Sequence, residues 1–435
     1  MANPGRRAGA AASGTANPTP KATAASAGVG GTGGRQSGAV SARGGARPAK
    51  SPRKAPPKLA PAGAGRGSRP NIEHVVVFVQ ENHTMDHYFS GLAPYGVNVA
   101  TGWPKTPNPP AHDQPHDRHA YYRWLQSGYA TRSQVDTTAV LPFYAYLALT
   151  GALLENHCSG FGTNSTPNHL LLVGGQSPTM RNPPRTAPPV WDMPSVPGLA
   201  EDAQLSWRCY TASGGYPVSF YTQLQASPNV VRTSQFITDA QGGSLPALSY
   251  VWRASPADEH PPADVTIGQD AIWAGVDAVV RGGLWDSTVF LLTWDDWGGW
   301  DEHVATPNVE HTADGIQCAY GPRVPLLMFG GAVPARIDSR WCSHVSVPKT
   351  AIQLLGLRKL GVPRVDDDPG LVDLVGTTAT VPPPPSPGTT IVLPRPPAPP
   401  KAAQPLPTLP GPSVATPNVL LRTGKTLPPP NDVPL

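Results

Sequence analysis

The first sustained apolar run is His74-Val75-Val76-Val77-Phe78-Val79, short and β-branched, which reads as a buried strand. It gives way abruptly to Gln80-Glu81-Asn82-His83, so polar residues sit at what would be the strand's C-terminal edge. A second run, Ser287-Thr288-Val289-Phe290-Leu291-Leu292-Thr293-Trp294, has the same character and breaks into Asp295-Asp296-Trp297-Gly298-Gly299. Between them an apolar pattern from Ala139 to about Leu154 predicts a helix. Strands are expected at 205–210 and around 246–252. Ile272, Val276, Val279 and Val280 share one face of a helix over about 266–283. A strand at Val324–Phe329 and a helix from about Val345 to Leu355 follow. Strands alternating with helices predict an α/β fold, and there is no internal repeat.

Composition divides the chain of 435 residues into three. Residues 1–69 carry twelve Lys/Arg and no Asp or Glu among Ala, Gly, Pro, Ser and Thr, and 376–435 is dominated by Pro, with four basic residues and one acidic. Neither stretch has the apolar surface to offset the entropy of ordering it, so both are expected to be disordered tails around a globule at 70–375. With the tails set aside, 17 basic and 28 acidic residues remain, a net charge of −11 beneath the overall +4. A globule this acidic is a poor nucleic-acid binder, while its carboxylates suit cations.

No apolar run approaches a membrane span of about 20 residues. The first thirty residues lack the apolar core of a secretory signal. Cys158, Cys209, Cys318 and Cys342 have no CxxC spacing, which argues against a thiolate zinc site. Sequential disulfides, 158–209 and 318–342, are one expectation and would imply export; four buried free thiols are the other.

The two strand ends carry the chemistry. Glu81-Asn82 and Asp295-Asp296 offer the hard oxygen ligands that divalent cations prefer. Either pair alone reads as a turn. Adjacent strand residues point to opposite faces, so Asp295 and Asp296 share an ion only if the strand stops there, and Gly298-Gly299 permits that turn. The segment Gly160-Phe161-Gly162-Thr163-Asn164-Ser165-Thr166-Pro167-Asn168, followed by Leu170–Val173, is a helix start: a capping hydroxyl at Ser165 or Thr166, then Pro in the first turn. A serine there is usually a cap and nothing more. Beside a cation it becomes a candidate nucleophile, because free amides and the helix dipole favour an alkoxide and a phosphate dianion.

Together these segments resemble the bacterial phosphoesterase family of phospholipases C and acid phosphatases. Glu81-Asn82-His83-Thr84-Met85-Asp86-His87-Tyr88-Phe89 looks like its opening motif. Thr293–Gly299 with His303-Val304 is similar to its second metal motif, and Gly162–Asn168 to its nucleophile segment. Shorter likenesses at Pro115-His116, Phe236–Asp239, His260-Pro261-Pro262 and Gly321–Pro325 keep the family order over about 70–360. Met85, Ser90, His169 and Glu302 depart from the family's usual Phe, Gly, Arg and Asp.

The resemblance implies an alkaline-phosphatase-like α/β fold with a central, mostly parallel sheet flanked by helices. It implies metal ligation by Glu81, Asn82, Asp295 and Asp296, with Ser165 completing the shell and forming a phosphoseryl intermediate. It gives His116 and His260 roles in phosphate binding or proton transfer, and makes His303 a weaker candidate. Thr163 and Thr166 flank Ser165; the position two before Pro167 favours Ser165. The expected cofactor is Ca²⁺, Mg²⁺, Mn²⁺ or Zn²⁺, with oxygen-rich ligation leaning to the first three. The expected substrate is a phospholipid head group or a small phosphomonoester, and the expected place is outside the cell or at its envelope, with the cytoplasm as the alternative. The rival reading is a non-catalytic envelope- or anion-binding protein built on a retired phosphoesterase fold.

Overall fold

The computed structural model describes residues 71–396, apart from 129, 185, 307 and 312–316, and no side chain at 213 or from 307 to 319. The expected basic tail, 1–69, and the Pro-rich stretch beyond 396 lie outside the described residues.

Ten strands are described: β1 His74–Gln80, β2 Ala152–Cys158, β3 Trp207–Thr211, β4 Val230–Arg232, β5 Leu248–Trp252, β6 Thr288–Trp294, β7 Asn308–His311, β8 Gln317–Ala319, β9 Leu326–Phe329 and β10 Arg336–Ser343. Eight form one sheet in the order β10-β2-β9-β6-β1-β5-β3-β4, and β7 and β8 pair separately. Every neighbouring pair in the large sheet is parallel except the two that involve β9. The sheet is therefore mostly parallel, as expected, with one reversed strand.

The β1 sequence shows why this sheet is central. Val75, Val77 and Val79 face one apolar cluster, Val76 and Phe78 the other, and all five are buried. A strand covered on both faces has no polar alternation, which is why it reads as a continuous apolar run. Helices Ser165–Gly174 and Ser346–Leu354 contribute to the first cluster, and helices Pro142–Thr150 and Val265–Arg281 to the second.

Three expectations need correction. The apolar pattern from 139 to 154 is not one helix: Pro142–Thr150 is helical, and Ala152–Cys158 is β2. Gly151 separates them, where a Cβ would stand 2.7 Å from the Met328 carbonyl on β9. The sequential disulfides do not form either: Cys158, Cys209 and Cys342 are free and buried, and the side chain of Cys318 lies outside the described residues. Beyond residue 375 the chain, read as a tail, stays on the globule at least to 396. Val381 and Pro385 accept from the indoles of Trp285 and Trp273 at 2.8 and 2.6 Å, Pro394 accepts from Tyr95 at 2.9 Å, and Ile391 and Leu393 pack on the second cluster. No helix among the described residues is long and apolar enough to cross a membrane.

The topology positions the chemistry. β2, β10, β6, β1 and β5 are oriented alike, so their C-terminal ends share one edge of the sheet, where open α/β sheets bind ligands.

Candidate metal centre and nucleophile

β1 and β6 are neighbours in parallel register, with Gln80 opposite Trp294. Glu81-Asn82 and Asp295-Asp296 therefore leave the sheet side by side. The ladder carries through to the first aspartate, whose N–H donates to the Gln80 carbonyl at 3.0 Å. Both strands then turn sharply. Asn82 takes a left-handed φ of 68° and Gly298 one of 60°. A Cβ on Gly298 would stand 2.1 Å from the Asn82 carbonyl oxygen, so the two turns interlock and glycine is required there. The Asn82 N–H donates to Asp295 Oδ1 at 3.0 Å, and the Gly298 N–H to Asp296 Oδ1 at 2.8 Å.

Ser165 is the first residue of helix Ser165–Gly174. The capping position falls on Asn164, whose side chain makes no cap hydrogen bond; neither Ser165 nor Thr166 occupies it. Ser165 Oγ lies 3.5 Å from Glu81 Oε2 and 3.4 Å from Asp296 Oδ2. Its hydroxyl neighbours are engaged elsewhere: Thr163 donates to the Met180 carbonyl at 2.7 Å, and Thr166 pairs with the Tyr216 hydroxyl at 3.1 Å. The serine is thus the hydroxyl that faces the carboxylates.

The geometry fits a divalent cation. Asp295 and Asp296 are fully buried. Burial and repulsion from Glu81 push the Asp295 pKa up, and burial and repulsion from Asp295 push Asp296 further up. Two buried oxygens, Asn82 Oδ1 and Asp295 Oδ2, have no hydrogen-bond partner. Buried polar atoms are rarely left unpaired, and buried like charges call for a counter-charge. A cation ligated by these oxygens, Glu81, Asp296 and the serine hydroxyl answers both needs.

His116 and His260 stand beside this cradle, their ring centroids 6.1 Å apart. His116 donates through Nδ1 to the Gln114 carbonyl at 2.6 Å and accepts through Nε2 from Asn82 Nδ2 at 3.3 Å. His260 donates through Nδ1 to the Pro261 carbonyl at 2.8 Å. Burial lowers its pKa, but the charge of Glu81 and the Pro261 carbonyl outweigh that and hold it above the usual value. Asp113, which the sequence reading passed over, lies 3.5 Å from His116 Nδ1. His303 belongs elsewhere: its Nδ1 donates to Asp86 Oδ2 at 2.7 Å. That carboxylate joins Glu302 around the buried Arg323, 3.4 Å and 2.6 Å from the guanidinium. Arg323 already supplies the positive charge there, so the group is a structural ion network.

His169, which stands where the resemblance puts an Arg at the site floor, is the residue whose contacts the sequence did not reveal. It follows Ser165 by one helical turn, on the same face. Its buried Nε2 lies 3.2 Å from Glu81 Oε1 and 3.5 Å from Asp295 Oδ2. The i, i+4 spacing from the serine was the available signal. Burial disfavours the charged ring, while Glu81 and Asp295 favour it and raise the pKa. Against this, Trp252 Nε1 donates to Nδ1 at 3.2 Å. An indole N–H cannot face a second N–H, so the hydrogen bond selects the neutral ring with its proton on Nε2.

The chain is similar to known proteins in sequence and, more distantly, in structure. The pattern of the phosphoesterase family matches residues 93–358, more than half of the chain. Phospholipase C A of Mycobacterium tuberculosis is 23% identical over 327 residues, covering 57% of this chain and 62% of its own length. Non-specific phospholipase C6 of Arabidopsis thaliana is 30% identical over 147 residues, 30% of this chain and 28% of that protein. The chain therefore spans less than two thirds of these relatives. A solved structure described as a protein in the alkaline phosphatase superfamily, from Vibrio parahaemolyticus, aligns over 70% of this chain and 72% of its own, with 14% identity and a TM-score of 0.41.

Proposed function

The chain belongs to the phosphoesterase family, and on that premise we propose that it is a metal-dependent hydrolase of phosphate esters that works through a phosphoseryl intermediate on Ser165. The observation that carries the proposal is the position of Ser165 Oγ, at a helix start and 3.4–3.5 Å from two carboxylates of a cradle with unsatisfied oxygens. A divalent cation held by Glu81, Asn82, Asp295, Asp296 and Ser165 would lower the hydroxyl pKa and neutralise phosphoryl charge.

The chain's own groups do the rest. Ser165 Oγ attacks phosphorus, with the nearest carboxylate oxygens, on Glu81 and Asp296, placed to take its proton. The bond from phosphorus to the ester oxygen breaks, and His260, held towards its charged form, protonates the departing alcohol. Water then attacks phosphorus and gives a proton to His260, the bond from phosphorus to Ser165 Oγ breaks, the phosphate or phosphorylated head group leaves, and the carboxylate returns its proton to the serine oxygen. His116 acts through Asn82, which it orients. The positive end of the helix that starts at Ser165 favours the phosphate dianion, although the Thr166 N–H is spent on Asn182 Oδ1 at 2.8 Å.

The substrate is a phospholipid head group or a small phosphomonoester, and the relatives named as phospholipases C favour the first. Action outside the cell or at its envelope is part of the proposal, supported by the twelve basic residues and absent carboxylates of 1–69, a composition drawn to anionic polymers. The three free thiols remove the disulfide argument for export.

The test is turnover of p-nitrophenyl phosphate and p-nitrophenylphosphorylcholine by wild type and Ser165→Ala, with and without chelator. Hydrolysis that the chelator and the substitution each abolish is expected, and the preferred substrate assigns the leaving group. Undiminished activity in the variant contradicts the nucleophile. Inertness of the wild type towards both substrates favours a binding protein.

A further inference from the structure

We propose that His169 is a fixed hydrogen-bond donor that positions Glu81, and that Trp252 holds it in that role, so that the centre offers a cation only oxygen ligands. The inference deepens the proposed function and rests on it for the presence of a cation.

By position alone His169 looks like a metal ligand, since its Nε2, a Glu81 oxygen and an Asp295 oxygen lie within 4.8 Å of one another. A ligating Nε2 must present its lone pair, and the ring proton then sits on Nδ1. Trp252 forbids that arrangement. Its indole nitrogen is a donor only, it lies 3.2 Å from Nδ1, and both side chains are buried. The ring proton is therefore on Nε2, pointing at Glu81 Oε1, and Asp295 Oδ2 keeps its lone pairs free of any hydrogen bond. Trp252 is itself held by a parallel stack on Tyr250, centroids 5.4 Å apart at 9°. The chain thus places an imidazole against the cradle and withholds its nitrogen from the ion. Oxygen-only ligation favours Mg²⁺, Ca²⁺ and Mn²⁺, whereas an available imidazole favours Zn²⁺.

Two measurements test this without reference to turnover. Long-range proton–nitrogen correlation spectra of ¹⁵N-histidine-labelled protein, free of paramagnetic Mn²⁺ throughout and recorded with and without Mg²⁺ or Ca²⁺, report the tautomer. The Nε2–H form of His169 in both states is expected; a proton on Nδ1 overturns the proposal. Calorimetric titration with Mg²⁺, Mn²⁺ and Zn²⁺ then compares wild type with Trp252→Phe, which keeps the aromatic stack and removes the indole donor, and with His169→Gln, which keeps a donor amide. Trp252→Phe is expected to raise the Zn²⁺ to Mn²⁺ affinity ratio by about tenfold or more, the size of effect typical of groups that orient a ligand, and His169→Gln to leave the ratio near that of wild type. An unchanged ratio in Trp252→Phe overturns the proposal. Binding of no cation by the wild type overturns the selectivity and the metal-dependent reading together, whereas an unchanged ratio with tight wild-type binding leaves the metal-dependent reading standing.

Discussion

His116 accepts a hydrogen bond from Asn82 Nδ2 at 3.3 Å, and the other end of that amide, Oδ1, is buried with no partner. The pairing fixes which end of the carboxamide is left for a cation. His116 is itself fixed, because its Nδ1–H is spent on the Gln114 carbonyl. On the metal-dependent reading, His116 thus decides the orientation of Asn82, one of the residues that would hold the cation. His116→Ala should weaken divalent-cation binding by about 10–100-fold. His116→Gln, whose carboxamide oxygen can accept from Asn82, should recover part of the loss in a calorimetric titration.

Cation binding should also appear as stability. A ligand that binds only the folded chain at 100 times its dissociation constant adds about 2.7 kcal/mol. For a globule of about 300 residues that raises Tm by about 4 °C. Asp296→Asn removes a proposed ligand and a repulsive buried charge together. The metal-free variant should melt no lower than metal-free wild type, and added Mn²⁺ or Ca²⁺ should shift it little. Differential scanning calorimetry with and without chelator measures both effects.

Glu259 should make stability depend on pH. It is buried behind the site and accepts from Gln80 Nε2 at 2.8 Å, Tyr88 Oη at 2.8 Å, Trp294 Nε1 at 2.9 Å, and the Tyr144 hydroxyl. Burial outweighs these donors and pushes its pKa up to about 7. A carboxyl raised in the folded state contributes stability that is complete below its unfolded value, near 4.5, and lost as pH rises through about 7. The contribution is about 3 kcal/mol across that window. In urea titrations from pH 4.5 to 8, Glu259→Gln should lose that share of the pH dependence. It should also be less stable throughout, because its amide nitrogen replaces an oxygen that accepts from these donors, and the Trp294 indole and the Gln80 amide nitrogen have only N–H groups to offer it.

Residues 376–396 should behave as part of the globule. Truncation after Val375 removes the carbonyls that accept from Trp273 and Trp285 and the apolar cover of Val381, Ile391 and Leu393. A lower Tm and a red-shifted tryptophan emission relative to the full chain are expected.

The parts of this architecture that were legible in the sequence are those set by local pattern. β1 and β6 announce themselves because burial on both faces leaves Val75–Val79 and Val289–Leu292 without a polar residue, so the proposed ligand pairs stand out shortly after each apolar run stops. The start of helix Ser165–Gly174 is marked by Pro167. β2 was hidden because Leu153 and Leu154 continue the apolar rhythm of the preceding helix, and only the packing of Gly151 against β9 explains the break. The role of His169 depends on Glu81, Asp295 and Trp252, which come from three other strand ends and share no spacing with it. The Pro-rich segment after 375 looked unable to fold because composition counts apolar residues without knowing that indole N–H groups of Trp273 and Trp285 are waiting for its carbonyls.

The most direct test of the central claim is mass spectrometry of the protein quenched in acid during steady-state turnover of p-nitrophenyl phosphate. A phosphoryl adduct confined to the peptide that contains Ser165, and lost in Ser165→Ala, is predicted. An actively turning-over wild type whose adduct sits on Thr163, Thr166 or a histidine, or which shows no adduct at any quench time, would contradict the assignment of Ser165 as the nucleophile.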